Sequence, residues 1–558
     1  MKYNVLIGGA AGQGMDTLSI LIEKLLKRKG YFIHSHKDYM SRIRGGHNFI
    51  QIRFGTEYIN SHWPALDVII ALDKETAKLH VERLSEGGVI ICDEAIEINN
   101  NKLIHIPMAK FAKETNNQRA AGSVAAGALL KLFGESVDGV MEIFNEKFDK
   151  ETAESNFKAF KKGFDYVQKK FELDKPEKDN HILINANSAI ALGALAGGVG
   201  FYASYPMTPA TSIMTELSKR QGDAKIVVEQ VEDEISAINM VLGASYAGVR
   251  SMTGTSGGGY ALMVEAMSLQ GITEIPIVVV DSQRPGPATG LPTRTEQGDL
   301  DFVMFSGHGE YPKMVLAVKN AEDAFYQTAR ALNIADKYQI QVIILTDEYL
   351  ADATQTIPPY DFNRVSIDRY FASKETLGDD TYKRYQRAES GVSSRIIPGK
   401  IDGAVVLIDS DEHNEYGHIT ESAEVRTAMM NKRMKKLKLI QSEMEEPDYF
   451  GSETPEILLI GWGSMYGPIR EATQLLQKEN ISVGALVFGD IYPLPIKLLK
   501  KYSEHAKKLI NIEMNYKGQL ARLIRQETGI FMDHSLLNYD GRQMCAHTVY
   551  TRVKKEVL

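Results

Sequence analysis

Short apolar runs separated by turn residues recur along the chain and predict the core strands of α/β domains. Each run is followed by turn residues and then by a longer stretch with helical spacing of its apolar positions. Strands that are buried on both faces are apolar without interruption, and their alternation with helices is typical of parallel sheets. The pattern therefore predicts several doubly wound α/β domains with largely parallel sheets. The apolar runs lie at 3–9, 67–73, 87–93, 275–281, 338–347 and 455–463.

Two charged stretches interrupt this alternation and mark the predicted domain boundaries. Residues 158–180 are rich in lysine, which predicts a helix that continues into a solvated linker. Residues 370–448 are weakly apolar and charged, and the strand pattern restarts at Ile457. Because a single core stops growing at roughly 250 to 300 residues, a chain of 558 residues needs several domains. The predicted division is 1–180, 181–369, a connecting segment over 370–450, and 451–558.

The composition narrows the class of protein. Hydrophobic residues make up 44% of the chain, and no apolar run approaches the roughly 18 residues needed to cross a bilayer, so a soluble, cytoplasmic protein is expected. The net charge of −8 argues against nonspecific binding to nucleic acid, which needs many lysine and arginine contacts to phosphates. With only Cys92 and Cys545, the chain cannot supply the thiolates of an iron–sulfur cluster. The two histidines of the polar stretch DSDEHNEYGHITE, residues 409–421, are predicted to lie in a solvated loop rather than to bind a metal.

The stretch GGAAGQG, residues 8–14, is a glycine turn between a predicted strand and a predicted helix. Backbone N–H groups at such a turn can approach an anionic ligand at the helix N-terminus. The dinucleotide-binding pattern fails, because Thr17 stands at its last glycine, and a turn without a ligand is an equally good interpretation. Farther along, SRIRGGHNFIQIRFG, residues 41–55, predicts a solvated loop followed by an edge strand.

Glu234 is a candidate functional acid because of its position on a predicted helix. It shares helical spacing with Val231, Ile238 and Val241, so it falls on the apolar face. A carboxylate on that face is costly unless it has a partner. The alternative is an acid at the helix start whose side chain reaches solvent, and periodicity alone favours that alternative.

Two further stretches place polar groups at predicted strand ends. SMTGTSGGGYALM holds Ser256 and Gly257 in a glycine turn, which admits either a ligand or a close neighbouring backbone. Residues 281–300, DSQRPGPATGLPTRTEQGDL, form a stiff loop at the end of an apolar strand, where α/β sheets bind ligands. Its Arg284 and Arg294 suit a carboxylate, although a solvated surface arginine is the simpler interpretation.

The stretch YPMTPAT, residues 205–211, raises the question of why a threonine is held between two prolines directly after a strand-like segment. Pro206 and Pro209 fix φ on either side of Thr208 and remove two N–H donors. Thr208 is therefore expected on a pre-ordered turn.

Together these stretches resemble the alpha subunit of the 2-oxoacid:ferredoxin oxidoreductases, in the form that carries a gamma-type domain ahead of the alpha region. YPMTPAT is similar to the YPITP signature of that family, VEDEISAIN to its acidic helix, and RPGPATGLPTRTEQGDL to its substrate-side loop. GGAAGQGMDT, SRIRGGHN, DSDEHNEYGHITE and IYPLP extend the resemblance over nearly the whole chain. Long motifs in this order are more specific than any one of them alone.

The resemblance implies a thiamine diphosphate enzyme and assigns roles to residues. It implies a gamma-type domain at 1–180, a pyrimidine-binding domain at 181–369 and a transketolase C-terminal-like domain at 451–558. By the same resemblance Glu234 is catalytic, because it bonds to the pyrimidine ring nitrogen, and the 2-oxoacid is held by Thr208 and Arg294. The cofactor-binding residues that the resemblance implies are Tyr205, Pro206, Glu234, Ser256 and Gly257.

The resemblance also implies a partner chain. No Gly-Asp-Gly occurs in the sequence, and thiamine enzymes hold magnesium and the diphosphate with that motif. A beta-type subunit is therefore expected to carry the magnesium, pyrophosphate and iron–sulfur sites, with ferredoxin or flavodoxin as electron acceptor. The implied reaction is oxidative decarboxylation of a 2-oxoacid with coenzyme A to acyl-CoA, carbon dioxide and reduced ferredoxin. Two alternatives remain: a transketolase-like thiamine enzyme subunit, and a non-enzymatic nucleotide-binding regulatory protein built on the N-terminal glycine turn.

Overall fold

The computed structural model describes residues 1–41, 45–98, 100–177, 180–377 and 381–558. Arg42 and Arg44, in the stretch SRIRGGHN, lie outside the described residues. The chain divides into two compact units. The smaller unit comprises Met1–Ile184, Asp352–Pro359 and Cys545–His547, and the larger unit comprises Asn185–Ala351, Tyr360–Met544 and Thr548–Leu558.

Strands and helices alternate over most of the described chain, and all six apolar runs contain strands, as predicted. The strands are β1 (Lys2–Ala11), β2 (Phe32–Asp38), β3 (Gly45–Gly55), β4 (Leu66–Ala71), β5 (Leu84–Asp93), β6 (Leu103–Ile106), β7 (Ile182–Ile184), β8 (Phe201–Ser204), β9 (Val227–Gln230), β10 (Ser251–Thr255), β11 (Ile277–Gln283), β12 (Lys313–Ala317), β13 (Gln341–Asp347), β14 (Thr354–Ile357), β15 (Asp448–Gly451), β16 (Ile457–Trp462), β17 (Val483–Phe488), β18 (Asp490–Tyr492), β19 (Lys508–Glu513) and β20 (His534–Leu537). The helices are α1 (Met15–Arg28), α2 (Lys74–His80), α3 (Met108–Glu114), α4 (Ala121–Leu132), α5 (Val140–Lys147), α6 (Lys150–Tyr166), α7 (Ala186–Ala196), α8 (Thr211–Ser218), α9 (Gln221–Ala224), α10 (Glu234–Tyr246), α11 (Gly257–Thr273), α12 (Leu300–Phe305), α13 (Ala321–Tyr338), α14 (Glu348–Asp352), α15 (Lys374–Leu377), α16 (Ala423–Glu443), α17 (Tyr466–Lys478), α18 (Lys497–Ser503), α19 (Gln519–Thr528) and α20 (Ala546–Arg552).

The smaller unit is built on an eight-stranded mixed sheet in the order β6-β5-β4-β1-β3-β2-β14-β7. Strands β1, β4, β5 and β6 run parallel, whereas β3 and β2 are antiparallel to their neighbours. The predicted edge strand is therefore wrong, because β3 lies inside the sheet. Its polar side chains are buried with partners: Gln51 donates to the carbonyl oxygen of Trp63, and Arg53 donates to that of Ser61.

The larger unit contains two sheets that share one hydrophobic core. The first sheet has the order β18-β12-β13-β11-β10-β8-β9 and is parallel except at β18. The second has the order β15-β17-β16-β19-β20 and is parallel except at β15. The predicted α/β class with largely parallel sheets is confirmed. Helices α10 and α11 cover one face of the first sheet through Val241, Tyr260, Val279 and Ile343.

The predicted connecting segment at 370–450 contains the helix α16, which is 21 residues long. Its Lys432 and Lys436 are buried and form ion pairs with Glu274. The predicted domain boundaries near 180, 369 and 450 stay predictions. No helix in the described part of the chain is long and apolar enough to cross a membrane.

Candidate functional site

Glu234 lies in the first turn of α10, where its side chain is buried. Asp233 caps this helix, because its side chain accepts a hydrogen bond from the backbone N–H of Ser236 at 2.7 Å. Only 3% of Glu234 is exposed, so the alternative of a solvated acid is wrong. Its Oε1 atom has no hydrogen-bond partner among the described residues. An unpaired buried carboxylate oxygen is costly, and a ligand that donates a hydrogen bond would offset that cost.

A glycine at the start of α11 makes room for this carboxylate. A Cβ atom at Gly259 would lie 2.1 Å from Thr255 Oγ1 and 2.5 Å from Glu234 Oε1, so a larger residue there would force these side chains to shift. Ser256 precedes α11 and is buried, and its Oγ atom has no partner among the described residues. Unpaired polar atoms of Glu234 and Ser256 thus flank the first turn of α11, beside the carboxyl end of β10.

The proline turn that carries Thr208 follows β8 directly and is held from two sides. Asn187 donates to the Pro209 carbonyl oxygen at 2.9 Å, and Arg284 donates to the Thr208 carbonyl oxygen at 2.8 Å. The side chains of Thr208 and Tyr205 are exposed. The turn is therefore pre-ordered through its backbone, and it leaves the threonine side chain accessible.

The two arginines of the loop after β11 occupy different places. Arg284 reaches the proline turn, where it also contacts Met207 Sδ at 3.3 Å. The backbone N–H of Arg294 donates to the Leu291 carbonyl oxygen at 3.1 Å, and a Cβ atom at Gly541 would lie 3.0 Å from Arg294 Cβ. Arg284 is thus the arginine that contacts the Thr208 turn, whereas Arg294 lies beside Gly541.

Sequence reasoning missed a pair of acids near the start of α11. Asp281 is fully buried opposite Thr255 in the strand register, and neither of its carboxylate oxygens has a partner among the described residues. Asp299 lies against α11, because a Cβ atom at Gly257 would be 2.6 Å from Asp299 Oδ2. Burial raises the pKa of Asp281 well above its usual value, with a further contribution from Asp299. Burial also raises the pKa of Asp299 to about 6, against the lowering effect of Arg284.

A third acid extends this pair. Burial, with a contribution from Asp299, raises the pKa of Glu296 to about 7. Neighbouring carboxyl groups cannot all ionise together, so the cluster holds protons into the neutral range. The only sequence signal for Asp281 was its place directly after an unbroken apolar run; nothing local connects it with Asp299.

The polar stretch at 409–421 differs from its prediction. His413 is fully buried, and its ring lies 3.9 Å from that of Tyr385, so the predicted solvated loop is wrong at this residue. In the part of the chain that the structure describes, no group of three or more His, Cys, Asp and Glu side chains could hold a metal ion.

The smaller unit has a pocket of about 700 Å³ at the N-terminal glycine turn. Gly12 and Gly14 have φ of 95° and 82°, and Cβ atoms at both would meet nothing within 4 Å. The lining also includes the cationic side chains of Lys24, Arg119 and Lys147. The ligand-binding interpretation of this turn stays a prediction.

Three family models match the chain in succession. The model described as pyruvate ferredoxin/flavodoxin oxidoreductase matches residues 4–166. The thiamine diphosphate-binding domain of pyruvate flavodoxin/ferredoxin oxidoreductase matches residues 192–432. Core domain II of pyruvate:ferredoxin oxidoreductase matches residues 455–547.

Similar proteins extend this match over the full length. The 2-oxoacid:ferredoxin oxidoreductase subunit alpha of Sulfolobus sp is 33% identical, over 97% of this chain and 95% of the relative. Subunit alpha of 2-oxoacid:ferredoxin oxidoreductase 1 from Sulfurisphaera tokodaii is 32% identical, over 97% of this chain and 96% of the relative. A solved structure is also similar: the 2-oxoglutarate:ferredoxin oxidoreductase from Magnetococcus marinus, with 2-oxoglutarate, coenzyme A and succinyl-CoA bound. It matches with a TM-score of 0.94 and 32% identity, over 100% of both chains. The chain therefore belongs to the family of 2-oxoacid:ferredoxin oxidoreductase alpha subunits.

Proposed function

We propose that this chain is the alpha subunit of an enzyme that oxidises a 2-oxoacid with coenzyme A to acyl-CoA, carbon dioxide and reduced ferredoxin. The observation that carries the proposal is the unpaired, buried Oε1 of Glu234, which lies against Gly259 within the region that the thiamine family model matches. The similar Magnetococcus marinus structure, which holds 2-oxoglutarate, coenzyme A and succinyl-CoA, supports the same substrates here.

Thiamine diphosphate, when bound, supplies an electron sink for the loss of carbon dioxide from the 2-oxo carbon. The residues at the first turn of α11 fit its pyrimidine side. Glu234 Oε1 would hold the proton of the pyrimidine ring nitrogen, and its burial excludes water from that proton. Ser256 and Gly257 would contact the pyrimidine from the start of α11, and Tyr205 and Pro206 from the proline turn.

Thr208 and Arg294 are proposed to bind the 2-oxoacid. The Thr208 side chain is exposed on a turn whose backbone is held by Arg284 and Asn187, which supports a positioning role for that turn. Arg294 offers a planar fork to a carboxylate. Arg284 already donates to the backbone of the turn, so it is proposed to order Thr208 rather than to bind substrate.

A beta-type partner is proposed to supply what this chain lacks. The sequence has no Gly-Asp-Gly and only two cysteines, so magnesium, the pyrophosphate contacts and the iron–sulfur cluster belong to the partner. Ferredoxin or flavodoxin would accept the electrons, and the complex would work in the cytoplasm. The proposed domains are gamma-type at 1–180, pyrimidine-binding at 181–369 and transketolase C-terminal-like at 451–558, with 370–450 as the connection.

Reconstitution tests the function directly. The chain is expressed alone and together with the beta-type subunit, and reduction of a viologen dye is measured with pyruvate and with 2-oxoglutarate. Thiamine diphosphate, magnesium and coenzyme A are supplied to both. Turnover is expected only from the complex. Robust turnover by the pure, cluster-free chain would contradict the subunit proposal.

The two arginines separate binding of the 2-oxoacid from ordering of the turn. In the complex, Arg294→Lys keeps the charge but loses the fork, so the KM for the 2-oxoacid should rise while thiamine diphosphate affinity persists. Arg284→Lys serves as the matched comparison, measured in the same kinetic and cofactor-titration experiments. Unchanged 2-oxoacid kinetics in Arg294→Lys, together with loss of cofactor, would remove Arg294 from the substrate site.

A further inference from the structure

The second sheet of the larger unit has an edge at which α/β proteins usually bind ligands. Its central strands β16 and β19 are parallel neighbours, so their carboxyl ends, at Trp462 and Glu513, lie side by side. Open parallel sheets bind ligands in the crevice outside such ends. In this chain that edge contacts the loop between β11 and α12, which is the predicted substrate-side loop.

The contact centres on Gln297, whose polar groups are all engaged. Its backbone N–H donates to the Met514 carbonyl oxygen at 2.7 Å, and its Oε1 accepts from the Met514 N–H at 3.1 Å. Its Nε2 donates to the Trp462 carbonyl oxygen at 2.9 Å, and its own carbonyl oxygen accepts from Asn515 Nδ2 at 3.1 Å. Gln297 is 1% exposed, so its side chain is enclosed at the sheet edge and hydrogen-bonded there, in the place where such sheets bind ligands.

The buried acid Glu513 holds the residues to which Gln297 is hydrogen-bonded. Glu513 is fully buried, and its Oε2 accepts from Asn515 Nδ2 at 2.8 Å and from Trp462 Nε1 at 3.0 Å. The same oxygen accepts from the N–H of Leu520 at 3.0 Å, and Oε1 accepts from the N–H of Ala521 at 3.1 Å. Charge-assisted hydrogen bonds are strong. The carboxyl ends of β16 and β19 are therefore held rigidly by Glu513, independently of their contact with the loop.

A second glutamine holds the loop just beyond Gln297. Gln519 Nε2 donates to the Gly298 carbonyl oxygen at 2.7 Å, and Gln519 Oε1 accepts from the Asp301 N–H at 2.9 Å. Between these anchors the Asp299 N–H donates to Gln283 Oε1 at 3.1 Å. The backbone on both sides of Asp299 is thus fixed, and its carboxyl group lies against the start of α11.

We infer that Gln297 is a positioning residue for the 2-oxoacid. The region 451–558 serves the reaction because it holds Gln297 in place. The inference rests on the proposed function, because it takes the loop that carries Arg294 as the substrate loop. Only Thr295 and Glu296 lie between Arg294 and Gln297, so the anchor at Gln297 fixes the backbone from which the Arg294 side chain extends. A shift of about 1 Å at a substrate-positioning group can cost roughly 10²-fold in rate.

Kinetics of the complex with its beta-type partner test this role. Gln297→Ala should raise the KM for the 2-oxoacid about tenfold, lower kcat less, and leave thiamine diphosphate affinity unchanged. Gln297→Glu keeps the acceptor for the Met514 N–H but turns a carboxylate oxygen toward the Trp462 carbonyl oxygen, so its KM should rise at least as much as that of Gln297→Ala.

Gln270→Ala is the matched control. Gln270 is also 1% exposed, and its Nε2 donates to the Ile275 carbonyl oxygen at 2.8 Å, near the far end of α11. The control loses an equivalent buried amide, so thermal stability should fall in both variants. The KM for the 2-oxoacid should rise only in Gln297→Ala.

Hydrogen exchange gives a readout that is independent of activity. Amides over 285–300 should exchange faster in Gln297→Ala than in wild type or Gln270→Ala. If Gln297→Ala does not fold, Gln519→Ala weakens the same anchor from the other side and is expected to show the same pattern. A lowered melting temperature with unchanged KM and unchanged exchange of the loop would overturn the inference. Absence of 2-oxoacid turnover in the wild-type complex would contradict the proposed function instead, and the exchange comparison would still decide whether Gln297 fixes the loop.

Discussion

Buried acidic side chains in the larger unit fall into two groups, those with hydrogen-bond or ion-pair partners and those without. Asp336 belongs to the first group: its oxygens accept from Arg250 at 2.8 Å, Arg369 at 3.1 Å and Arg395 at 2.6 Å. Glu274 belongs to it as well, because Lys432 and Lys436 both pair with its carboxylate. These acids are satisfied by the fold itself.

The acids around the start of α11 form the second group. Glu234 Oε1 and both oxygens of Asp281 have no hydrogen-bond partners among the described residues, although both residues are buried. Natural folds satisfy nearly all buried polar groups, and the exceptions cluster where function requires them. The comparison teaches that the fold itself satisfies the paired acids, whereas the unpaired acids stay open to a ligand, which supports the proposal that they serve the site.

The largest expected effect separates activity from stability at Glu234. Glu234→Gln should lower 2-oxoacid turnover of the complex by roughly 10² to 10⁴, the range for a lost acid/base group. The free energy of unfolding should stay the same or rise, because an unpaired buried carboxylate is removed. Turnover assays test the first expectation, and denaturant unfolding tests the second. Glu232→Gln, two residues earlier and exposed, is the control that should change neither quantity.

Loss of stability together with unchanged turnover in Glu234→Gln would show that Glu234 stabilises the fold, as the paired acids do, and does not take part in the reaction. Exchange of the C2 proton of bound thiamine diphosphate in the complex then gives a direct reading. An unchanged exchange rate would remove Glu234 from the chemistry.

The next largest effect is expected at Asp336, with stability as the quantity that changes. Asp336→Ala leaves three arginines around a buried position without their carboxylate, so it should cost about 3–5 kcal/mol of unfolding free energy. Glu456→Ala removes an exposed pair with Lys507 at 2.8 Å and should cost under about 0.5 kcal/mol. Urea denaturation measures both. Equal effects of the two substitutions would show that burial does not distinguish these pairs.

The smallest expected effect is a pH dependence that differs in sign between the groups. Asp299 has a pKa raised to about 6, so the unfolded chain releases this proton first and wild type loses stability as pH rises from about 4 to 6. Asp299→Asn removes that loss, so its unfolding free energy relative to wild type should increase by roughly 1–3 kcal/mol over this window. Denaturation of wild type and Asp299→Asn at several pH values measures this difference.

For Glu274 the same experiment should show a pH dependence of the unfolding free energy with the opposite sign. Burial acts to raise its pKa, but Lys432 and Lys436 hold the pKa below its usual range. Its stabilising contribution is therefore present above the pKa of the unfolded chain and is lost as pH falls below about 4. A Glu274→Gln variant with the same pH trend as Asp299→Asn would contradict the division into two groups.

The fold was largely predictable because parallel strands leave an unbroken apolar run in the sequence. The helix α16 was not, since Lys432 and Lys436 are buried against Glu274, and in sequence a buried cation cannot be told from a solvated one. The strand β3 was misplaced for a similar reason: its Gln51 and Arg53 are paired with backbone carbonyl groups inside the sheet.

The candidate site was predictable only where a local pattern existed. Helical spacing placed Glu234 on the apolar face, although periodicity alone favoured a solvated acid, and two prolines predicted the pre-ordered turn at Thr208. The approach of Asp299 to Gly257, the bond from Arg284 to that turn and the anchor at Gln297 join residues that only the folded chain brings together. No local periodicity encodes such contacts.

The strand β14 has a consequence for any attempt to divide the gene. Thr354–Ile357 lies in the sheet of the smaller unit, paired with β2 on one side and β7 on the other. A fragment that stops after Ile184 would leave the backbone N–H and C=O groups of β2 open along an edge, and open edges recruit strands from other molecules. Such a fragment is expected to aggregate, and a peptide that spans residues 352–359, supplied in trans, is expected to restore its solubility.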